Sequence, residues 1–303
     1  MDRLGTMEAF VAVVDARSFS AAALKLRSSK SLVSRQIAAL ESALGARLFH
    51  RTTRSLALTE EGRRYHEQVV RILADIADAN QSLSNMQSTP RGLLRVNAPM
   101  SFGYLHLAPA VPDFLMQYPE IELDLTMNDR YVDLVEEGVD LALRLGRLAD
   151  SSLIARKLAP ARRVVCASPA YLRDHGVPET PDDLPQHQCL CYSNISASDE
   201  WRFVRQNGTP WPVEVKGRLH ANNGDALREA ALKGLGLVFL PTFIVGRDLQ
   251  ASTLVSVLTE HVAQDTGLYA VYPHARHLSP KVRAFVDFLA TRFGTQPYWD
   301  LVE

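Results

Sequence analysis

Apolar residues recur at helical spacing through the first forty-five positions of the 303-residue chain. The first stripe comprises Met7, Phe10, Val11 and Val14. After a short break, a cap at Ser18 and the alanine-rich run 21–26 predict a second helix. The third stripe comprises Leu32, Val33, Ile37, Leu40 and Leu44. It follows the polar turn 28–31 and stops at Gly45, so the second and third predicted helices form a helix-turn-helix.

The region after the third helix has the pattern of a hairpin. Apolar segments at 48–49 and 56–58 flank the basic, polar stretch 50–55. Two short strands with a charged tip form a wing, from which Arg51 and Arg54 can reach phosphate or a minor groove. A solvated hairpin tip is the alternative for each of these two arginines.

Polar residues at the start of the third helix have the chemistry of a DNA-reading surface. Arginine can bond guanine through two hydrogen bonds, glutamine can pair with adenine, and serine hydroxyls can hold phosphates. For any one of these residues the alternative is an ordinary solvated side chain at a helix start. The predicted DNA-binding residues are Ser29, Lys30, Ser31, Ser34, Arg35, Gln36, Arg51 and Arg54.

The distribution of charge supports this assignment. The chain has 33 basic and 34 acidic residues, which gives a net charge of -1. Eleven of the basic residues but only six of the acidic residues lie in the first 64 positions. A basic N-terminal segment in an otherwise acidic chain indicates that this segment contacts the phosphates of a nucleic acid.

The same segment resembles the DNA-binding domain of the LysR-type transcriptional regulators. The resemblance rests on 10–14, 18–23, 33–37, 40–41, 44–45, 48–52 and 58–62, in the order and spacing of that family. It implies a winged helix-turn-helix over 1–61, in which the helix from about Ser31 reads the major groove of double-stranded DNA.

A long helix is predicted after the hairpin. From Thr59 to about Ser88 the chain contains no proline and has an apolar stripe at helical spacing. A core contact inside the chain is one interpretation of that stripe. The resemblance implies the other, a dimerising linker over 62–89 in a homodimer or homotetramer. The predicted dimerisation residues are Val69, Ile72, Leu73, Ile76 and Leu83.

Strand and helix patterns alternate from Pro90 onward, which predicts α/β units with parallel sheets covered by helices. One of the predicted helices covers 132–137. This half resembles the LysR effector domain on 97–103, 128–146 and 234–241, and the family implies a two-lobed, type 2 periplasmic-binding-protein-like fold. The predicted effector-binding domain is 90–303, with lobe 1 at about 90–161 and 268–303 and lobe 2 at about 162–267.

Candidate ligand contacts stand at strand ends and helix starts of this half. Ligands bind outside the carboxyl ends of parallel strands, and free helix-start amides suit an anion. We therefore expect a small, carboxylate-bearing effector between the lobes, with Ser101 capping a helix there. A structural capping role is the alternative for each residue. The predicted effector-binding residues are Ser101, Phe102, Asn128, Gly146, Ser168 and Asn223.

Other function classes find little support in the residues. The pair His274 and His277 lacks further ligands at metal spacing, Cys166 lacks a visible histidine partner, and no catalytic motif is present. We therefore expect no enzyme activity, no cofactor and no metal. A solute-binding protein without a transcriptional role is the main alternative, because the effector half resembles that fold.

The expected location and partners follow from the same features. No secretory segment or membrane span is visible, and three cysteines suit a reducing cytoplasm. The expected partners are promoter DNA, a small-molecule effector and further copies of the chain, with RNA polymerase as an additional candidate and no membrane.

Overall fold

A computed structural model describes residues 2–51, 56–84, 89–130, 133–134, 136–146, 153–194, 199–263, 266–273 and 278–300. For residues 51, 74–75 and 77–84 it gives the backbone alone. The chain forms two compact units, Met1–Ser88 and Thr89–Glu303. No helix within the described ranges has the length and apolar composition needed to cross a membrane.

The first unit is mainly helical. Its helices are α1 (Arg3–Ala16), α2 (Phe19–Lys25), α3 (Lys30–Leu44) and α4 (Glu60–Ser84). Side chains of Asp2, Ser18 and Ser29 cap the first three helices by accepting backbone amides. α3 ends at Gly45, whose φ of 65° is the left-handed conformation that glycine adopts without strain. The predicted helix-turn-helix is confirmed.

An antiparallel hairpin follows α3, with strands β1 (Phe49–Arg51) and β2 (Leu56–Leu58). The Glu41 carboxylate accepts the amides of Leu48 and Phe49 at 2.9 and 3.2 Å, which attaches the hairpin to α3. Residues 52–55 of the predicted tip, which include Arg54, lie outside the described residues. The strands themselves form where the wing was predicted.

The core of the first unit gathers around Phe10 of α1. Its ring lies 5.4 Å from the rings of both Phe49 and Tyr65, measured between centroids. Phe10, Val33 and Ile37 have no exposed surface. Tyr65 belongs to the first turns of α4, so the beginning of α4 is part of this core rather than a free linker.

The second unit is α/β. Its strands are β3 (Gly92–Ala98), β4 (Ile121–Met127), β5 (Leu141–Gly146), β6 (Leu153–Pro160), β7 (Arg163–Ala167), β8 (Cys189–Tyr192), β9 (Glu200–Val204), β10 (Pro210–Glu214), β11 (His220–Ala221), β12 (Leu237–Pro241), β13 (Val255–Val257) and β14 (Gly267–Pro273). Its helices are α5 (Met100–Phe102), α6 (Ala108–Gln117), α7 (Pro169–His175), α8 (Gly224–Leu232), α9 (Thr242–Gln250) and α10 (Pro280–Phe293). A π-helical segment, Gly103–Leu107, joins α5 to α6.

Two five-stranded sheets organise this unit into two lobes. The first has the order β4-β3-β5-β14-β6 and the second β11-β8-β12-β7-β13, while β9 and β10 form a separate hairpin. The two-lobed α/β architecture predicted for this half is therefore confirmed.

The sheets are mixed, so the expectation of parallel sheets was too simple. β3 runs parallel to β4 and β5, but β14 is antiparallel to β5 and β6, and β7 is antiparallel to β12. A parallel neighbour needs a long crossover connection. The chain instead passes from β13 of the second sheet to β14 of the first sheet without such a helical crossover. The direction of β14 therefore cannot be predicted from a repeated strand–helix pattern.

Of the helix predicted over 132–137, the described residues 133–134 and 136–137 are not helical. The described residues among them form a single turn, in which the Asp133 side chain accepts the Glu136 amide. Gly138 then takes a φ of 62°. A side-chain cap and a left-handed glycine only five residues apart leave room for one turn and no continuing helix.

Candidate nucleic-acid interface and ligand cavity

α3 has two faces of different chemistry. Val33, Ile37 and Leu40 point into the core, whereas Ser31 and Arg35 are exposed on the opposite side. The exposed side continues through Ala38 and Ser42, which sequence reasoning did not single out although they stand seven and eleven positions after Ser31. Small side chains on this face let the helix backbone approach a groove closely.

The start of α3 is fixed by its own hydroxyls. The Ser29 side chain accepts the Leu32 amide at 3.2 Å and lies 3.0 Å from the Ser31 hydroxyl. Arg35 is exposed, and it donates through Nε to the Ser31 carbonyl at 3.4 Å. Lys30 is exposed, and Ser34 and Gln36 are half-buried at the edges of the face.

The structure does not describe the predicted hairpin contacts. Only the backbone of Arg51 is described, and Arg54 lies outside the described residues. Contacts from these two side chains to DNA therefore remain predictions.

The predicted dimerisation stripe on α4 divides into two parts. Val69 has no exposed surface, so at this position the alternative of a contact inside the chain applies. Ile72 is 41% exposed, and Leu73 and Ile76 are half-buried. The side chain of Leu83 lies outside the described part of the chain.

A cavity of about 420 Å³ opens between the two sheets of the second unit. It lies at the carboxyl end of β12 and the amino end of β7. Both lobes contribute to its lining, which is Pro99, Ser101, Phe102, Asn128, Asp129, Arg130, Arg144, Leu145, Gly146, Ala161, Arg163, Tyr192, Asn194, Gly224, Phe239, Leu240, Pro241, Phe243, Ile244 and Thr266.

Four of the six predicted effector-binding residues line this cavity, namely Ser101, Phe102, Asn128 and Gly146. Ser168 does not, because β7 is antiparallel to β12 and its carboxyl end points away from the cavity. Ser168 follows β7 and lies about 16 Å along the strand from Arg163, where it caps α7. Asn223 caps α8 by accepting the Ala226 amide at 3.0 Å, and the next residue, Gly224, lines the cavity instead.

Ser101 does not cap a helix, which corrects the expectation for this residue. α5 begins at Met100, whose amide donates to the Asp129 carboxylate at 2.9 Å. Asp129 thus already supplies the negative charge at this helix start. The Ser101 hydroxyl donates to the Asp225 carboxylate at 2.6 Å, so it links α5 to α8 across the two lobes.

Sequence reasoning missed the cationic groups of the cavity, Arg130, Arg144 and Arg163. The Arg144 Nη1 atom donates to Asn97 Oδ1 at 3.2 Å, and the Arg163 Nη2 atom donates to the Phe239 carbonyl at 2.9 Å. Burial lowers the pKa of Arg163 to about 10, so its guanidinium stays charged at neutral pH. A signal was available, because Arg144 interrupts the apolar strand β5 and Arg163 begins the apolar strand β7.

The cavity also contains an unsatisfied acceptor. Asn128 Oδ1 is buried and accepts no hydrogen bond from any described residue. A buried polar atom without a partner costs free energy, which a ligand donor placed there would recover. The apolar part of the lining includes Phe102, Phe239 and Phe243. The geometry therefore combines cations, one buried acceptor without a described partner and an aromatic wall.

The three thiols do not have the character of exposed nucleophiles. Cys166, Cys189 and Cys191 are all free and buried. Burial raises the pKa of Cys166 and of Cys189 to about 12, so both remain protonated at neutral pH. Cys166 lies in the core of the second unit, as expected for a small apolar residue.

Comparison with known proteins identifies both units. Residues 4–63 match the family described as bacterial regulatory helix-turn-helix protein, lysR family, and residues 87–294 match the LysR substrate binding domain. The chain is 38% identical over 286 residues to the transcriptional regulator CrgA of Neisseria meningitidis, covering 94% of this chain and 95% of that protein. It is 37% identical to the regulator DmlR of Escherichia coli, with coverage of 96% and 94%.

A solved structure agrees over the full length. The LysR-type regulator CrgA of Neisseria meningitidis matches with a TM-score of 0.61 and 37% identity, covering 96% of this chain and 99% of that one. One conclusion follows from the two family matches, from the helix-turn-helix with its exposed α3 face and from the two-lobed unit with its cavity. The chain belongs to the LysR family of bacterial transcriptional regulators.

Proposed function

We propose that this regulator reads its operator with the outward face of α3 and responds to a small anionic metabolite bound in the cavity between the lobes. In this proposal the chain is divided into a DNA-binding domain at 1–61, a linker helix at 62–89 and an effector-binding domain at 90–303. The observation that carries the effector assignment is the presence of Arg130, Arg144 and Arg163 in one partly enclosed cavity.

The charges of the cavity favour an anion. Among the described residues of the lining, these three guanidinium groups face one carboxylate, that of Asp129, which is engaged with the Met100 amide. A carboxylate ligand would receive charge-assisted hydrogen bonds from guanidinium donors in a partly desolvated site, where such bonds are strong. A cationic ligand would be repelled.

The volume of the cavity and its hydrogen-bonding groups restrict the class of ligand further. A volume of about 420 Å³ is in the range of small-molecule sites. The aromatic and aliphatic lining favours an apolar body, and Asn128 Oδ1 favours a hydroxyl or amide donor on the ligand. We therefore propose a carboxylic acid with an apolar body and one hydrogen-bond donor.

Assembly through α4 is the second part of the proposal. Ile72 is exposed on the described surface of α4, and Leu73 and Ile76 lie beside it. Pairing of two such helices would bury these side chains and present two α3 helices to a symmetric operator. Ile72→Glu should give a smaller species than wild type in sedimentation equilibrium. An unchanged mass would place the dimer contact elsewhere.

A binding screen with matched ligand pairs tests the effector class. Each small carboxylic acid is compared with its neutral primary amide, using thermal stabilisation of the full chain as the readout. An acid should stabilise the protein, and its amide should not. Losing one charge-assisted hydrogen bond costs about 1.5–3 kcal/mol, so Arg163→Met should weaken binding about 10- to 150-fold.

Arg173→Gln is the matched control for that substitution. Arg173 lies on α7 of the same unit, is exposed and does not line the cavity. Arg130→Gln is a second cavity variant at an exposed position, which separates loss of binding from loss of folding. Amides that bind as tightly as acids, or equal effects of Arg163→Met and Arg173→Gln, would contradict the proposal.

A further inference from the structure

Three potential metal ligands come together at one edge of the second sheet. They are Cys191 of β8, Asp199 immediately before β9 and His220 of β11, and their ligand atoms all lie within 4.8 Å of one another. They are 8 and 21 residues apart in the chain, a spacing unlike that of any common metal motif. The sheet, and not the sequence pattern, creates the cluster.

The backbone fixes the three positions. β11 pairs with β8 in parallel register, and this register places His220 beside Cys191. The Cys191 amide donates to the Leu219 carbonyl at 3.0 Å, and the Val215 amide donates to the Asp199 carbonyl at 2.7 Å. Each ligand is therefore attached to an ordered strand or strand end, which limits the movement needed to close around an ion.

We propose that Cys191, Asp199 and His220 bind one transition-metal ion of the zinc type. Thiolate, imidazole and carboxylate together are a usual ligand set for Zn²⁺, whereas Mg²⁺ and Ca²⁺ prefer oxygen ligands throughout. In the proposed complex the thiolate and carboxylate charges balance the two charges of the ion.

The distances suit tetrahedral coordination. Usual metal–ligand lengths place neighbouring ligand atoms about 3.4–3.7 Å apart. His220 Nδ1 and Asp199 Oδ1 are already 3.6 Å apart. A contraction of about 1 Å at the longest separation would complete the geometry. The side chains of Asp199 and His220 are 66% and 47% exposed, so an ion can enter from solvent and keep water as a fourth ligand.

The protons balance in this binding step. Without metal the thiol of Cys191 donates to the Cys189 carbonyl at 3.3 Å. The ion takes the thiolate sulfur and the thiol proton leaves to water.

Binding would join three segments that meet at this edge. β11 has only two residues and is an edge strand of the sheet. In the neighbouring strand β8, Cys191 is followed by Tyr192, which faces the other side of the strand and lines the cavity. An ion held by Cys191, Asp199 and His220 would therefore stabilise the edge beside the cavity wall. The proposal does not depend on the identity of the effector.

Titration of the full, reduced chain with Co²⁺ and Zn²⁺ tests the site. Co²⁺ should bind at one ion per chain with a thiolate-to-cobalt charge-transfer band, and excess Zn²⁺ should remove that band. Zn²⁺ should also raise the melting temperature of the wild type. Substitution of a residue that only orients a metal ligand lowers metal affinity about 10- to 100-fold. Asp199 and His220 are proposed as ligands themselves, so Asp199→Asn and His220→Ala should each lower the affinity at least 100-fold.

Two control variants make the result specific. His175→Ala removes another exposed histidine of the same unit, and Cys189→Ser removes the other thiol of β8. Both should keep the band and the stoichiometry, whereas Cys191→Ser should lose the band. Wild-type affinity in Asp199→Asn and His220→Ala, a band that persists in Cys191→Ser, or uptake below one ion per chain would overturn the proposal.

Discussion

The two units differ in how far apart along the chain their functional side chains stand. The exposed face of α3 extends from Lys30 to Ser42 within one helix. The cavity collects side chains from Pro99 to Thr266 and from two sheets. A surface on a single helix can be deduced from local periodicity, whereas a site between lobes depends on strand order and direction. The same sequence therefore reveals the exposed face of α3 more readily than the lining of the cavity.

The largest expected effects come from one buried phenylalanine in each unit. Phe10 and Phe102 both have no exposed surface and pack against several aromatic rings. Replacing either by alanine should destabilise its own unit by about 3–5 kcal/mol, because a large cavity is left behind. Phe10→Ala should lose operator binding while keeping effector binding. Phe102→Ala should lose effector binding.

Tryptophan fluorescence can assign these losses to the correct unit. All three tryptophans, Trp201, Trp211 and Trp299, belong to the second unit. Urea unfolding followed by this signal should shift to lower urea in Phe102→Ala and stay close to wild type in Phe10→Ala. Equal shifts in both variants would remove the distinction between two separately packed cores.

Arg35→Ala tests the reading of bases by α3. If its guanidinium bonds a base edge, the variant should lose about 1–3 kcal/mol on a specific operator and little on unrelated DNA. Fluorescence anisotropy with both DNAs, at several salt concentrations, measures the difference. Arg17→Ala, at the exposed end of α1, is the control. Unchanged discrimination by a folded Arg35→Ala protein would contradict the assignment.

The sequence predicted the first unit well because its signals are local. The cap at Ser18, the apolar stripe of α3 and the stop at Gly45 all lie within or directly beside the helices that they define. In the second unit, Ser168 was expected at the ligand site from its place after a strand. β7 runs antiparallel to β12, and the sequence does not reveal this direction. Ser168 therefore lies at the end of β7 that is opposite to the cavity. The same strand direction brings Arg163 into the cavity.

A smaller effect is expected from pH in the second unit. His106 Nε2 donates to the Phe243 carbonyl at 2.9 Å, and in the neutral ring Nδ1 accepts the Tyr298 hydroxyl at 2.6 Å. Burial lowers the pKa of His106. Below about pH 6.5 the unfolded chain therefore binds a proton that the folded unit does not, and stability is lost as the pH falls.

Urea midpoints from tryptophan fluorescence at pH 7.5 and pH 5.5 measure this effect. His106→Gln should reduce the difference between the two midpoints, although His187, whose pKa burial also lowers, should keep part of it. An undiminished difference in His106→Gln would show that this histidine is not the buried neutral group inferred from its hydrogen bonds.

The most direct test of the account is operator affinity measured with and without the acid that the binding screen selects. In wild type the acid should change operator affinity about 5- to 150-fold, the usual range of coupling between two sites. Arg163→Met should bind operator like wild type without the acid and show no change at the same acid concentration, while Arg173→Gln should respond like wild type. An equal response in Arg163→Met and wild type would contradict the claim that the cavity controls DNA binding.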